Sequence, residues 1–201
     1  MQNQFDQNAA NWDAKAYRVD RARIIAQKIL ARIPVQPHFR MMDFGCGTGL
    51  LGFHFVDKAR EVVFADTSQG MLEQVIHKAD KMGVHNIQAL NLSSQEPDGE
   101  YDLIVSLLAL HHVEDHEQAI RDLTPLLTPG GVLAFCDLDN EDGSFHGDTL
   151  VPHNGFDRSE IMSIYRSCGL TAIQATTAFV DKGKNVGRAY PMFLIQGVRP
   201  Q

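Results

Sequence analysis

Phe39-Arg40-Met41-Met42-Asp43-Phe44-Gly45-Cys46-Gly47-Thr48-Gly49-Leu50-Leu51 decides the fold. An apolar strand runs into three glycines at alternate positions and then into an apolar segment. Glycines there let the chain turn tightly after the strand and bring backbone within contact of a ligand that a Cβ would hold off. Asp43 stands just ahead of them. A pyrophosphate gains nothing from a carboxylate at that point, whereas the ammonium and sulfonium end of S-adenosylmethionine is attracted to it, so that cofactor is favoured over a dinucleotide.

Outward from this stretch, strand and helix patterns alternate. A helix is expected over 19–33, stopped by Pro34 and Pro37, and the first strand covers 39–44. The spacing then predicts a helix over 50–58, a strand over 62–65, a helix over 68–82 ended by Gly83, and strands over 86–90 and 101–107. Asp115, with Gln118 three residues on, starts another helix, and Pro129-Gly130-Gly131 precedes a buried-type strand over 132–137. Such alternation requires a mainly parallel sheet with helices on both faces. The last third breaks the rhythm. Residues 140–155 are polar and Gly-rich, a candidate lid or substrate loop. Asp157 and Glu160 frame a capping box for a helix ending at Gly169, and strands over 171–180 and 191–198 have no helix between them, so they pair antiparallel at one end of the sheet. The expected fold is α/β, a Rossmann-like three-layer sandwich around seven strands.

With 201 residues, 44% hydrophobic and 21% charged, the chain buries a sizeable core as one domain, 1–201, without disulfides or structural metal. Cys46, Cys136 and Cys168 are odd in number and widely spaced, which fits reduced thiols. There is no apolar run long enough for a bilayer and no leader pattern at Met1-Gln2-Asn3, so a cytoplasmic location and no membrane partner are expected. The net charge of −7 argues against a nucleic-acid partner, although residues 15–40 are locally basic. Oligomeric state leaves no trace in the sequence.

Four landmarks in order make the chain resemble the class I S-adenosylmethionine-dependent methyltransferases, the small single-domain type. They are the glycine loop, Asp66-Thr67-Ser68-Gln69-Gly70-Met71-Leu72, Tyr101–Ser106 with Leu110-His111-His112-Val113, and Leu126-Leu127-Thr128-Pro129-Gly130-Gly131. Asp66 lies 17 residues after Gly49, where its two oxygens can accept both ribose hydroxyls. The resemblance implies that Thr67 follows it in the site, that the Met71 thioether meets the adenine face, and that Asn91 replaces the usual carboxylate toward the adenine amino group beside the Leu92 backbone N–H. Asp43, Phe44, Gly45, Cys46 and Gly47 line the methionine part, with Leu107 opposite. The N-terminal extension, 1–36, is expected to fold over the cofactor through Trp12 and Tyr17, with Arg18 or Arg21 toward the methionine carboxylate.

Methyl transfer from a sulfonium needs positioning above all, and a base only where the acceptor arrives protonated. His111 and His112 follow the fourth strand, and His153 sits in Pro152-His153-Asn154-Gly155-Phe156-Asp157, a segment similar to one found in some of these enzymes. His111 and His153 are the candidate catalytic residues. His112 and His116 have helical spacing, but no Glu or Cys completes a tetrahedral set and no metal is expected. The acceptor pocket is expected to form from the loop after the fourth strand, the segment around His153, the 182–188 loop with Lys182, Lys184 and Arg188, and the N-terminal flap. The function read from all this is transfer of a methyl group to a small-molecule acceptor by in-line displacement, leaving S-adenosylhomocysteine. The alternatives are an NAD-dependent oxidoreductase, whose catalytic Tyr-x-x-x-Lys or comparable pair is not evident, and a non-catalytic S-adenosylmethionine-binding protein.

Overall fold

The structure, a computed structural model, describes residues 4–33, 38–182 and 187–201. The expected helix stop at Pro34 and Pro37, the Met1-Gln2-Asn3 stretch, and Gly183 and Lys184 of the last loop lie outside the described residues.

Among the described residues, seven strands form one sheet: β1 (Arg40–Phe44), β2 (Glu61–Asp66), β3 (Ile87–Asn91), β4 (Tyr101–Leu107), β5 (Leu127–Leu138), β6 (Thr171–Asp181) and β7 (Tyr190–Val198). Their order is β3-β2-β1-β4-β5-β7-β6. The first five run parallel, and β7 inserts antiparallel between β5 and β6. Strand side chains alternate between two cores, as a period of two demands for a sheet covered on both faces. Met41, Val62, Phe64, Leu103 and Val105 pack on one side with Ile25 and Ile29, whereas Met42, Val63, Ala65 and Ile104 pack on the other with Ile161 and Tyr165.

Among the described residues, five α-helices flank it: α1 (Gln4–Asn8), α2 (Ala16–Arg32), α3 (Gln69–Met82), α4 (His116–Leu123) and α5 (Arg158–Ser167). Their ends carry the expected chemistry. Ser68, Asp115 and Asp157 accept from backbone N–H groups of the first turns, and Gly83 closes α3 in the left-handed conformation at φ 65°. The Asp157 cap is taken by Ser159, two residues on. The strand expected over 132–137 begins at Leu127, and in place of the helix expected over 50–58 only a short 3₁₀ turn, Gly52–His54, forms. Its backbone closes i→i−3 bonds, such as Phe55 N–H to Gly52 O at 3.0 Å, and the Gly52 N–H is drawn to Asp43 Oδ2 at 2.8 Å. Packing decides against the longer helix: a Cβ on Gly52 would lie 2.4 Å from the Phe64 ring, so the segment is pressed flat on β2.

The topology reverses between β1 and β4, from which the chain works outward in both directions. Ligands of such sheets sit at the carboxyl ends of the strands beside that reversal. No helix among the described residues is long and apolar enough to cross a membrane.

Candidate functional site

A cavity of about 530 Å³ opens at that point, within the roughly 300–1,000 Å³ range of small-molecule sites. One wall is the glycine loop. Gly45, Gly47 and Gly49 have φ of 65°, 52° and 80°, the left-handed region that glycine enters without strain. Beside Gly47 the space a Cβ would take is open, its nearest neighbour being Trp12 Nε1 at 3.9 Å. Backbone at that spot is bare toward the cavity, as a cradle for a large ligand requires.

Two carboxylates flank the loop. Asp66, at the end of β2, accepts from Gly47 N–H at 2.7 Å with Oδ2 and from Ser68 N–H at 2.8 Å with Oδ1. It thereby fixes the loop while its remaining lone pairs face the cavity. Burial raises its pKa against those hydrogen bonds. Asp43 is 1% exposed, and desolvation pushes its carboxyl up to about 7. Thr67, Met71, Leu92, Phe44, Cys46 and Leu107 also line the cavity.

The N-terminal segment lies across the opening, tied down by its acids. Asp6 accepts from Ser68 Oγ at 2.5 Å and from Gly70 N–H at 2.9 Å, while Asp13 accepts from Thr48 Oγ1 at 2.6 Å and Lys78 Nζ at 2.7 Å. Trp12, Tyr17, Arg18 and Arg21 thus reach the cavity wall. The Arg18 guanidinium stacks on the Trp12 ring, 3.7 Å from its centroid, and donates to Trp12 O at 3.1 Å.

The opposite wall carries imidazoles. His111, 1% exposed, donates from Nδ1 to Asp137 Oδ1 at 2.7 Å, and its backbone N–H reaches Oδ2 at 3.2 Å. That bond fixes the tautomer and leaves Nε2 as the acceptor, which has no hydrogen-bond partner among the described residues. His112 and His146 crowd the same ring, with centroids 4.1 and 4.8 Å away.

Two expected site residues are placed elsewhere. Asn91 spends its amide elsewhere, Oδ1 accepting from Ser93 N–H in its own turn at 2.9 Å and Nδ2 donating to Gln69 Oε1 of α3 at 3.0 Å, and it does not line the cavity. The Leu92 N–H expected beside it donates to Asp66 O at 2.9 Å. His153 is also outside the lining. Its Nε2 donates to Val113 O at 3.0 Å and Glu114 O at 3.1 Å, and its backbone N–H donates to His111 O at 3.2 Å, so it braces the loop that carries His111 from behind. The long 140–155 segment does reach the cavity, but through Phe145, His146 and Thr149. From the last loop, Arg188 pairs with Asp142, and neither it nor Lys182 lines the cavity. His116, weighed as a metal ligand, packs on His153 and Phe156, and no metal-binding cluster of His, Cys, Asp or Glu is found among the described residues.

Asp137 escaped sequence reasoning. It ends a buried strand at the carboxyl edge of the sheet, a position where this topology makes carboxylates functional, but nothing local links it to His111, 26 residues away.

Comparison with known proteins agrees with this geometry. A family model described as a methyltransferase domain matches residues 42–133. A trans-aconitate 2-methyltransferase of Variovorax paradoxus is 34% identical over 143 residues, 68% of this chain and 53% of that protein. An uncharacterised methyltransferase of Schizosaccharomyces pombe is 27% identical over 168 residues, 72% of this chain and 59% of that one. The chain therefore spans about half the length of the curated relatives it matches. Among solved structures, a chain of the complex between the Haloferax volcanii Trm112 methyltransferase activator and a methyltransferase superposes with a TM-score of 0.81, at 19% identity and full coverage of both chains, a likeness of fold. With its four landmarks in order around the glycine loop and methyltransferases among its relatives, the chain belongs to the class I S-adenosylmethionine-dependent methyltransferases.

Proposed function

We propose that this protein, read as one domain over 1–201 with 1–36 as a flap, binds S-adenosylmethionine at the glycine loop and Asp66 and methylates a small-molecule acceptor. One observation carries the reading: a single cavity has the bare glycine backbone and Asp66 on one wall and the unpartnered His111 Nε2 on the other. When bound, the cofactor would supply a sulfonium methyl group to an acceptor lone pair, the sulfur keeping the electrons of the broken bond. Every other contribution is the protein's. Asp66 would hold the ribose end against the glycine loop, Asp43 would complement the cationic end, and the flap would exclude water. His111 Nε2 takes the acceptor's proton, and Asp137 stabilises the imidazolium that results. The acidic balance of the chain and the size of the cavity support a small acceptor over a nucleic acid. Support for the acceptor class comes also from the curated relative that acts on trans-aconitate.

Calorimetry with S-adenosylmethionine, S-adenosylhomocysteine and NAD, followed by a labelled-methyl screen over small-metabolite pools, tests the proposal. Binding of the first two with label transferred to a small molecule is expected. His111→Gln and Asp137→Asn should each lower turnover about 100-fold or more with cofactor affinity unchanged. Binding of NAD instead, or transfer unaffected by His111→Gln, would overturn it.

A further inference from the structure

Resting on the methyltransfer reading, we infer that the acceptor is a small organic acid whose carboxylate is held by Arg21. Two arginines reach the cavity from α2, and they sit over different halves of the sheet. Arg18 belongs to the cofactor side, stacked on Trp12, whose indole nitrogen overhangs Gly47. Arg21 lies one turn further along and is tied to the other side. Its Nη1 is 3.4 Å from Asp181 Oδ2, at the end of β6. In the sheet order, β6 lies beyond β5 and β7, and its end shares an edge with the end of β5, where Asp137 holds His111. Arg21 therefore faces the compartment of the proposed base.

Its surroundings leave it incompletely matched. The residue is 9% exposed, and its Nε is buried with no hydrogen-bond partner among the described residues. A guanidinium satisfied by its counter-ion makes two parallel bonds of about 2.7–2.9 Å, which the single longer contact to Asp181 does not provide. Burial without full compensation pulls the Arg21 pKa down, with Asp181 opposing. Leaving a buried donor of a cation unmatched is costly, and an anion entering the cavity removes that cost. A planar carboxylate is the anion whose two oxygens fit the fork. Phe145 from the long loop supplies an apolar surface in the same cavity, and His111 Nε2 a site for a hydroxyl or amine proton. The chemistry required of the acceptor is thus a carboxylate at one end, a short apolar body, and a protonated nucleophile at the other.

The test is calorimetry on S-adenosylhomocysteine-loaded protein with 4-hydroxyphenylacetate, 3-hydroxybutyrate and malate, each against its amide. At least one acid should bind about tenfold or more tightly than its amide, the scale of a charge-assisted contact. Arg21→Gln should erase that preference while S-adenosylhomocysteine affinity stays within about threefold. Because the single change removes the Arg21 end of the ion pair with Asp181, the pair Arg21→Gln/Asp181→Asn, which removes both charges, is measured beside it, and Arg21→Lys should keep part of the preference. Amides that bind as well as acids in the parent, or an S-adenosylhomocysteine affinity that falls about tenfold in both glutamine variants, would overturn the inference and leave methyl transfer standing. Failure of the parent to bind S-adenosylhomocysteine would overturn both.

Discussion

Single side chains in this site do more than one job, and that shapes what a substitution does. Asp66 holds Gly47 N–H and Ser68 N–H before any ligand is considered, so Asp66→Ala removes both the proposed ribose acceptor and the clamp on the loop. Charged hydrogen bonds of this kind are worth about 1.5–3 kcal/mol, so cofactor affinity should fall at least about tenfold. Trp12 is the only tryptophan and lines the cavity, so its fluorescence gives the titration. An unchanged dissociation constant in the folded variant would remove Asp66 from the site. Asp43 predicts a pH effect. Its folded pKa of about 7 lies above the ordinary 3.8, so the folded state holds a proton the unfolded chain has lost, and stability falls as pH rises between those values. Asp43→Asn should flatten that fall, by about 1.4 kcal/mol for each unit between the two pKa values. A cationic ligand favours the ionised carboxyl, so the affinity for S-adenosylmethionine should rise relative to that for S-adenosylhomocysteine as pH passes through 7. Denaturation and calorimetry at pH 5, 6, 7 and 8 read both effects, and parallel curves for parent and variant would refute the assignment.

At the scale of elements, what was legible in the sequence was local and what was not was tertiary. Asp66 and the glycine loop announce themselves because a turn after a strand writes its demands into adjacent residues. The caps at Ser68, Asp115 and Asp157 are equally local. By contrast, the 50–58 helix failed because the Phe64 ring on β2 lies against Gly52, and the Arg21 to Asp181 pair spans 160 residues. His153 was drawn to notice by its motif, yet it serves the same loop from the rear. The glycines separate in the same way. A Cβ at Gly45 would meet the Ala109 Cβ at 2.2 Å, whereas at Gly47 it meets nothing closer than Trp12. Gly45→Ala should therefore cost stability, roughly 1–3 kcal/mol by overpacking, with part recovered in Gly45→Ala/Ala109→Gly. Gly47→Val should abolish cofactor binding, since a β-branched side chain fills the ligand's approach, and should also cost stability through backbone strain at φ 52°. Thermal melts paired with S-adenosylhomocysteine titrations check both. The same loss profile in the two variants would mean that the loop is a structural turn and no cradle.

Across the whole molecule, the core does not need the N-terminal segment, whereas the proposed cofactor site would depend on it as a flap. From the start of α2 onward the chain is built in: Ala22, Ile25, Ala26 and Ile29 are buried against the sheet. Residues 4–15 contribute mainly Ala9 to the interior and are held by the Asp6 and Asp13 contacts. Loss of residues 1–15 should then leave a cooperative melt, because hydrophobic burial by α2 and both cores persists. The ligand linkage should not survive intact. S-adenosylhomocysteine at 100 times its dissociation constant stabilises a folded protein by about 2.7 kcal/mol, and a tenfold weaker site leaves about 1.4 kcal/mol at the same concentration. The shortened chain should show at most that smaller shift, since Phe5, Asn8 and Trp12 no longer close the cavity. A full shift in the shortened protein would show that the flap covers the site without contributing to it, and would pass the methionine end of the cofactor entirely to the glycine loop and Asp43.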